Sequence, residues 1–229
     1  MHAPARTCYN ANHMRIINKR ELLHAQIALF AAVALQLLVW EINNELLVGP
    51  QYIIIPTEIV LLVLIGFTAR IQSPTKRVVH HAFTLGFLGL ISLANFSSLV
   101  LVLNSLIVTR AALSGTELLT SAIAIFMTNI IVYGLWYWEI DSPGLTGRRW
   151  TKKDKDFQFT QQDLKQDFPG WHPTFFDYFY VSLSNAINFA SSDARPLTHM
   201  AKLLMGSQAM ISVLTLALVI ARSVTILGK

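Results

Sequence analysis

Apolar residues in this chain come in long unbroken runs separated by short polar stretches, not in strand-like alternation. Five such runs cover residues 22–42, 52–69, 78–108, 117–138 and 200–227, and a shorter aromatic one covers 175–190. About 20 helical residues, rising 1.5 Å each, cross a hydrocarbon core of about 30 Å. The pattern therefore predicts an all-α integral membrane protein, a bundle of five to six transmembrane helices. The short aromatic helix before the last span either crosses the membrane or is re-entrant. Four sections follow: a basic tail (1–21), a four-span scaffold (22–140), a basic loop (141–173), and a final section (174–229) of short helix, polar turn and last span.

Local signals agree with this division. Trp40 and the Trp136-Tyr137-Trp138 cluster stand at run ends, where amphipathic rings favour the headgroup zone. Pro56 falls in the first turn of the second run, where a missing N–H costs little. Gly86 and Gly89 allow close helix approach, and Asn95 and Asn129 are suited to hydrogen bonds between spans. The segment 161–167 reads as a short surface helix.

Charge gives the orientation. Charged residues make up 14% of the chain, against about 25% in soluble domains. The formal net charge is +5, but the basic residues are confined to loops, which argues for cytoplasmic loop charge and against nucleic acid. With the N-terminus inside, four Lys and Arg precede the first span, three follow the second and six follow the fourth, while Arg110 alone lies outside. The tail is undecided by this count. If 175–190 spans, Arg195 and Lys202 are outside and Arg222 and Lys229 inside. If it is re-entrant, the pairs exchange sides. Either way fifteen are inside and three outside. The expected location is a bacterial inner membrane with a cytoplasmic N-terminus. Arg148, Arg149, Lys152, Lys153 and Lys155 form the membrane-surface basic group, with Trp150 and Trp171 as headgroup anchors on either side.

Candidate chemistry is sparse. Cys8 is the single cysteine, so neither an intrachain disulfide nor a cysteine metal cluster is expected. No cleaved signal is evident at the start, and Met14 is an alternative first residue. Glu58 is an intramembrane acid, a class that faces a bundle interior or a water path; its plainer reading is a carboxylate bonded to a neighbouring span. Asp177 is a second candidate acid, with helix-dipole stabilisation as its plainer role. His24, His80 and His81 show no spacing that singles out a haem or metal site. No phosphate-binding glycine loop, H-E-x-x-H or G-x-S-x-G is present, so an enzyme is the weaker class, and neither metal nor cofactor is expected.

The final section resembles the pore module of potassium-channel-like proteins. The pore-helix counterpart runs from Phe176 to Ser184, the D-x-x-P turn is Asp193-Ala194-Arg195-Pro196, and the inner-helix counterpart follows from Met200. The whole chain also resembles an uncharacterised bacterial family of small multi-spanning membrane proteins. The motifs shared with that family are W-Y-W-E-[IL]-D, here Trp136 to Asp141, and an A-K-x-L-M helix start, here Ala201 to Met205. The filter departs from the channel pattern: Asn188-Phe189-Ala190-Ser191-Ser192 stands where T-V-G-Y-G would, without either glycine. Aligned carbonyls of the potassium type need glycine-tolerated conformations, so a potassium-type filter is not expected. The preceding basic loop also lies inside, whereas such pore loops enter from outside.

The resulting expectation is a channel-like or transport-related protein, a homo-oligomer in the lipid bilayer with an inorganic ion as candidate cargo. Its constriction would be lined by Asn185, Asn188, Ser191, Ser192 and Asp193. The alternatives are a non-conducting scaffold or accessory subunit of a membrane-protein partner, and an intramembrane redox or lipid-modifying enzyme.

Overall fold

The computed structural model describes residues 19–42, 74–107, 115–141, 155–164, 166–190 and 193–227. Outside them lie the predicted second span with Glu58, the basic residues Arg148, Arg149, Lys152 and Lys153, and Ser191 and Ser192. The described elements are α1 (Lys19–Ile42), α2 (Pro74–Ile107), α3 (Gly115–Asp141), β1 (Phe157–Phe159), α4 (Thr160–Asp163), α5 (Phe175–Asn188), β2 (Ala194–Pro196) and α6 (His199–Leu227). Four stretches are long and apolar enough to cross a membrane: Leu23–Ile42, Thr84–Asn104, Gly115–Asp141 and His199–Ala221. This is the architecture of an integral membrane protein.

Helix α3 is the core. Its apolar stretch is 67% buried, against 33%, 44% and 28% for those of α1, α2 and α6. It packs against each of α1, α2, α5 and α6. Contacts along it fix the direction of its neighbours. Ala25 and Leu29 of α1 and Phe87 and Leu88 of α2 share a cluster with Tyr137 and Trp138. Val39 of α1 and Leu99 and Val102 of α2 share another with Leu118 and Ala122. So α1 and α2 run parallel to each other and antiparallel to α3. Asn95 Nδ2 donates to the Ile125 carbonyl at 3.3 Å, and Gln36 Nε2 to the Ile91 carbonyl at 3.0 Å, tying the three together.

Helix α5 also runs against α3. Phe175 meets Trp138 edge-on at 5.3 Å between ring centroids, and Ser182 Oγ donates to the Ile130 carbonyl at 2.7 Å. Helix α6 does the same, with Gln208 at Tyr137, Ser212 at Asn129, and Leu218 in the Leu118 cluster. The two therefore start at one end of the bundle, beside Asp141, and point the same way.

One correction to an all-helical reading is a two-stranded antiparallel ribbon pairing Phe157 with Pro196, Gln158 with Arg195, and Phe159 with Ala194. The physical reason is local. Alternation in Phe157-Gln158-Phe159 puts both rings on one side, and both are fully buried. Phe157 packs on Tyr137 and Tyr178, and Phe159 on Tyr178 and Trp171. An isolated pair of strands this short is marginal in water; the aromatic floor of α3 and α5 supplies its hydrophobic face. The expected helix over 161–167 is shorter and earlier, at Thr160–Asp163.

Candidate functional site: a buried polar seam and an exposed helix end

Helix α3 carries Asn129, Tyr133, Tyr137 and Asp141 at every fourth position, which sets them on one stripe. The stripe faces α5 and α6. In an apolar surround each unbonded polar group costs several kcal/mol, about 2–7 by transfer scales, so these groups must find each other. They do. At the Asp141 end, the carboxylate accepts the Tyr178 hydroxyl at 2.6 Å and the backbone N–H groups of Asp156 and Phe157 at 2.6 and 2.9 Å. The last residue of α3 thus holds both the start of α5 and the start of the ribbon.

Gln208 of α6 is the hub of the seam. Its Oε1 accepts the Tyr137 hydroxyl at 2.5 Å and Asn185 Nδ2 at 2.8 Å. Its Nε2 donates to the Ser182 hydroxyl at 2.7 Å and the Ser182 carbonyl at 3.0 Å. Asn185 Nδ2 also reaches the Met205 carbonyl at 3.0 Å. Beyond the hub, the Tyr133 hydroxyl pairs with Ser207 Oγ at 2.8 Å, and Asn129 Nδ2 donates to Ser212 Oγ at 3.0 Å. Asn129 Oδ1 is buried with no hydrogen-bond partner. The helices approach closely here: a Cβ on Gly134 would lie 3.1 Å from the Phe179 Cα.

The predicted constriction residues separate. Asn185 is buried in the seam, its amide committed to α6. Asn188 is exposed on the last turn of α5. The Asp193 carbonyl accepts from the backbone N–H of Thr160 at 3.0 Å and its hydroxyl at 3.2 Å, which ties Asp193 to the ribbon end. Asp177 accepts from the backbone N–H and hydroxyl of Thr174 at 2.6 and 2.7 Å, capping the start of α5. Lys155 donates to the side chains of Gln158 and Gln162. Among the described residues no group of three His, Cys, Asp or Glu side chains has metal-site geometry.

The end of α5 is the second feature. Phe189 closes the helix in the left-handed region, φ 56° and ψ 23°. Residues 187–190 are exposed. Through Asn185, the last turn stands level with Met205 and Gln208, near the middle of the apolar stretch His199–Ala221.

Sequence reasoning missed Gln208, Ser182, Tyr137, Tyr178 and Asp141 as a connected set. The available signal was the four-residue spacing of Asn129, Tyr133, Tyr137 and Asp141. Comparison with protein-family models, with curated proteins and with solved structures finds no match.

Proposed function

We propose that this chain is a channel-like or transport-related membrane protein built around a re-entrant half-helix, α5. One observation carries the reading: α5 and α6 both run antiparallel to α3, starting beside Asp141. A chain that crossed at α5 would have to come back at α6, and the two would then oppose each other. The ribbon adds support, since β1 before α5 pairs with β2 after it. The parallel course of α1 and α2 supports a further crossing between them. On this reading the protein has five spans and one re-entrant element. The N-terminus and the 141–173 loop are cytoplasmic, in an inner membrane of bacterial type.

The half-helix points to transport for a physical reason. Irregular backbone at membrane depth is tolerated where protein covers it or water lines it. Residues 187–190 are exposed in the single chain, so a neighbouring copy or an aqueous path has to meet them. A homo-oligomer with these helix ends around a wet path, admitting an inorganic ion, satisfies that demand. Asn188, Ser191, Ser192 and Asp193 would line it.

The second reading is a non-conducting accessory subunit. The commitment of Asn185 to Gln208 and Met205 favours it, since that amide is not turned toward a path.

The test has two arms. With cysteines at 193 and 229 in a Cys8→Ser background, impermeant reagents should label 193 from the cytoplasmic side and 229 from outside. Labelling of 193 from outside sinks the re-entrant element. In planar bilayers or flux vesicles, Asn188→Ala and Asp193→Ala should change conductance. No current in any salt, with a stoichiometric partner in pull-downs, would favour the accessory reading.

A further inference from the structure

We infer that the segment between α4 and α5 is an interfacial anchor whose apolar face inserts into the headgroup–acyl boundary of the bilayer. The polar loop folds back on itself here. The backbone N–H of Leu164 bonds to the Thr160 carbonyl, that of Phe168 to the Leu164 carbonyl, and that of Trp171 to the Phe168 carbonyl. The bond from Phe168 to Leu164 places those two residues one turn apart on the segment, and the bond from Trp171 to Phe168, through Gly170 at φ 75°, turns the chain back toward the ribbon. Leu164 and Phe168 are 46% and 45% exposed. Trp171 packs at a tilt on the buried Phe159, with ring centroids 5.6 Å apart, and so fixes the segment to the ribbon. Phe176, in the first turn of α5, is 70% exposed. Gln166, Asp167 and Gly170 are exposed between them.

The occupant follows from position. The ribbon sits beside Asp141, where the apolar stretch of α3 ends and that of α6 begins. This is the level of the membrane–water boundary, where Trp and Phe beside polar residues are favoured. Met200 and Leu203 of α6, 56% and 71% exposed, continue a lipid-facing surface up to that level. Lipid therefore reaches the height of the anchor without any further partner. Within the segment Asp163 and Asp167 outnumber Lys165, so apolar insertion, not attraction to anionic lipid, is what the segment itself supplies. The anchor would fix the depth at which α5 enters.

Single cysteines at Leu164 and, as the polar-side comparator, at Gln166 test this in a Cys8→Ser background. Each is labelled with a fluorophore after reconstitution in phosphatidylcholine nanodiscs carrying a spin label near the headgroup. Leu164→Cys leaves Phe168, Trp171 and Phe176 in place, so the anchor survives the probe. The label at 164 should be quenched about threefold more than that at 166, as expected for an inserted face. The ratio should stay the same when anionic lipid is added. Equal quenching at the two positions, whether from exposure to water or cover by protein, overturns the proposal. So does insertion that requires anionic lipid. Phe168→Cys labelled in the same way must rank with 164; if it ranks with 166, the shared face does not exist.

Discussion

The Tyr178 hydroxyl donates to the Asp141 carboxylate across 2.6 Å, joining the first turns of α5 to the last residue of α3. The same carboxylate holds two N–H groups of the ribbon. Tyr178→Phe removes one donor from a buried carboxyl acceptor, which should cost about 1–3 kcal/mol. Asp141→Ala strands two backbone donors and the tyrosine together and should cost more. Thermal unfolding in detergent gives the order directly. A smaller loss for Asp141→Ala would mean that the carboxylate does not hold the junction.

Gln208 and Asn185 should prove energetically coupled. Either single change to Leu leaves buried partners unsatisfied, whereas the double change removes both sides of one bond. A double-mutant cycle is expected to return a coupling of about 0.5–3 kcal/mol. Additivity of the two losses would show that the hub is only a set of independent contacts.

Gly134 permits a close approach of the Phe179 backbone, whose Cα would lie 3.1 Å from a Cβ at that position. Gly134→Ala asks the helices to give by a few tenths of an ångström and should be mild. Gly134→Leu has nowhere to go and should cost about 1–3 kcal/mol or more, as overpacking does. Retained stability in the Leu variant would mean α5 is free to move away from α3.

Phe189 holds a left-handed conformation that glycine adopts without steric cost. A non-glycine residue there bears about 1–2 kcal/mol of strain. Phe189→Gly should therefore be more stable than Phe189→Ala by about 1 kcal/mol, since both lose the ring and only one relieves φ. Chemical denaturation of the two variants in the same detergent checks it; equal midpoints refute a left-handed cap.

The ribbon stands or falls with its rings. Phe157→Ala should destabilise by about 3–5 kcal/mol, as large-to-small changes in a packed core do. Phe176→Ala, at an exposed site, should move stability by about 0.5 kcal/mol or less. Comparable losses at both would mean that the ring of Phe157 is not packed between Tyr137 and Tyr178.

The sequence made the long helices legible because hydropathy in a 20-residue window reflects a one-body cost, the transfer of each residue to hydrocarbon. Observed bounds for α1, α3 and α6 sit within three residues of the runs that predict them. The seam was less legible because hydrogen bonds between helices are two-body events. Gln208 reads simply as one polar residue in an apolar run until α6 is docked against Tyr137. Asn129 could be placed between helices from its depth alone, and it does bond across to Ser212. The ribbon was hidden for a similar reason. Phe157 and Phe159 lie among charged residues, and a three-residue alternation carries little signal without the floor it lands on. The direction of α5 could not be found by counting charges, since both topologies give the same total.

The ribbon also dictates an order of biogenesis. Its two strands come from opposite sides of α5, so β1 is synthesised well before the partner that completes it. Until Ala194–Pro196 leaves the ribosome, β1 has no strand partner, although Tyr178 and the N–H groups of Asp156 and Phe157 are already available to Asp141. Helices α1 to α3 can be threaded into the bilayer one at a time, and α5 can dock on α3 through Trp138, Ile130 and Asp141, but the bonds of Gln208 to Ser182 and Asn185 wait for the chain beyond it. Assembly of this protein therefore closes like a buckle, late and in one step. A nascent chain stalled before residue 194 is the form that quality-control proteases should recognise.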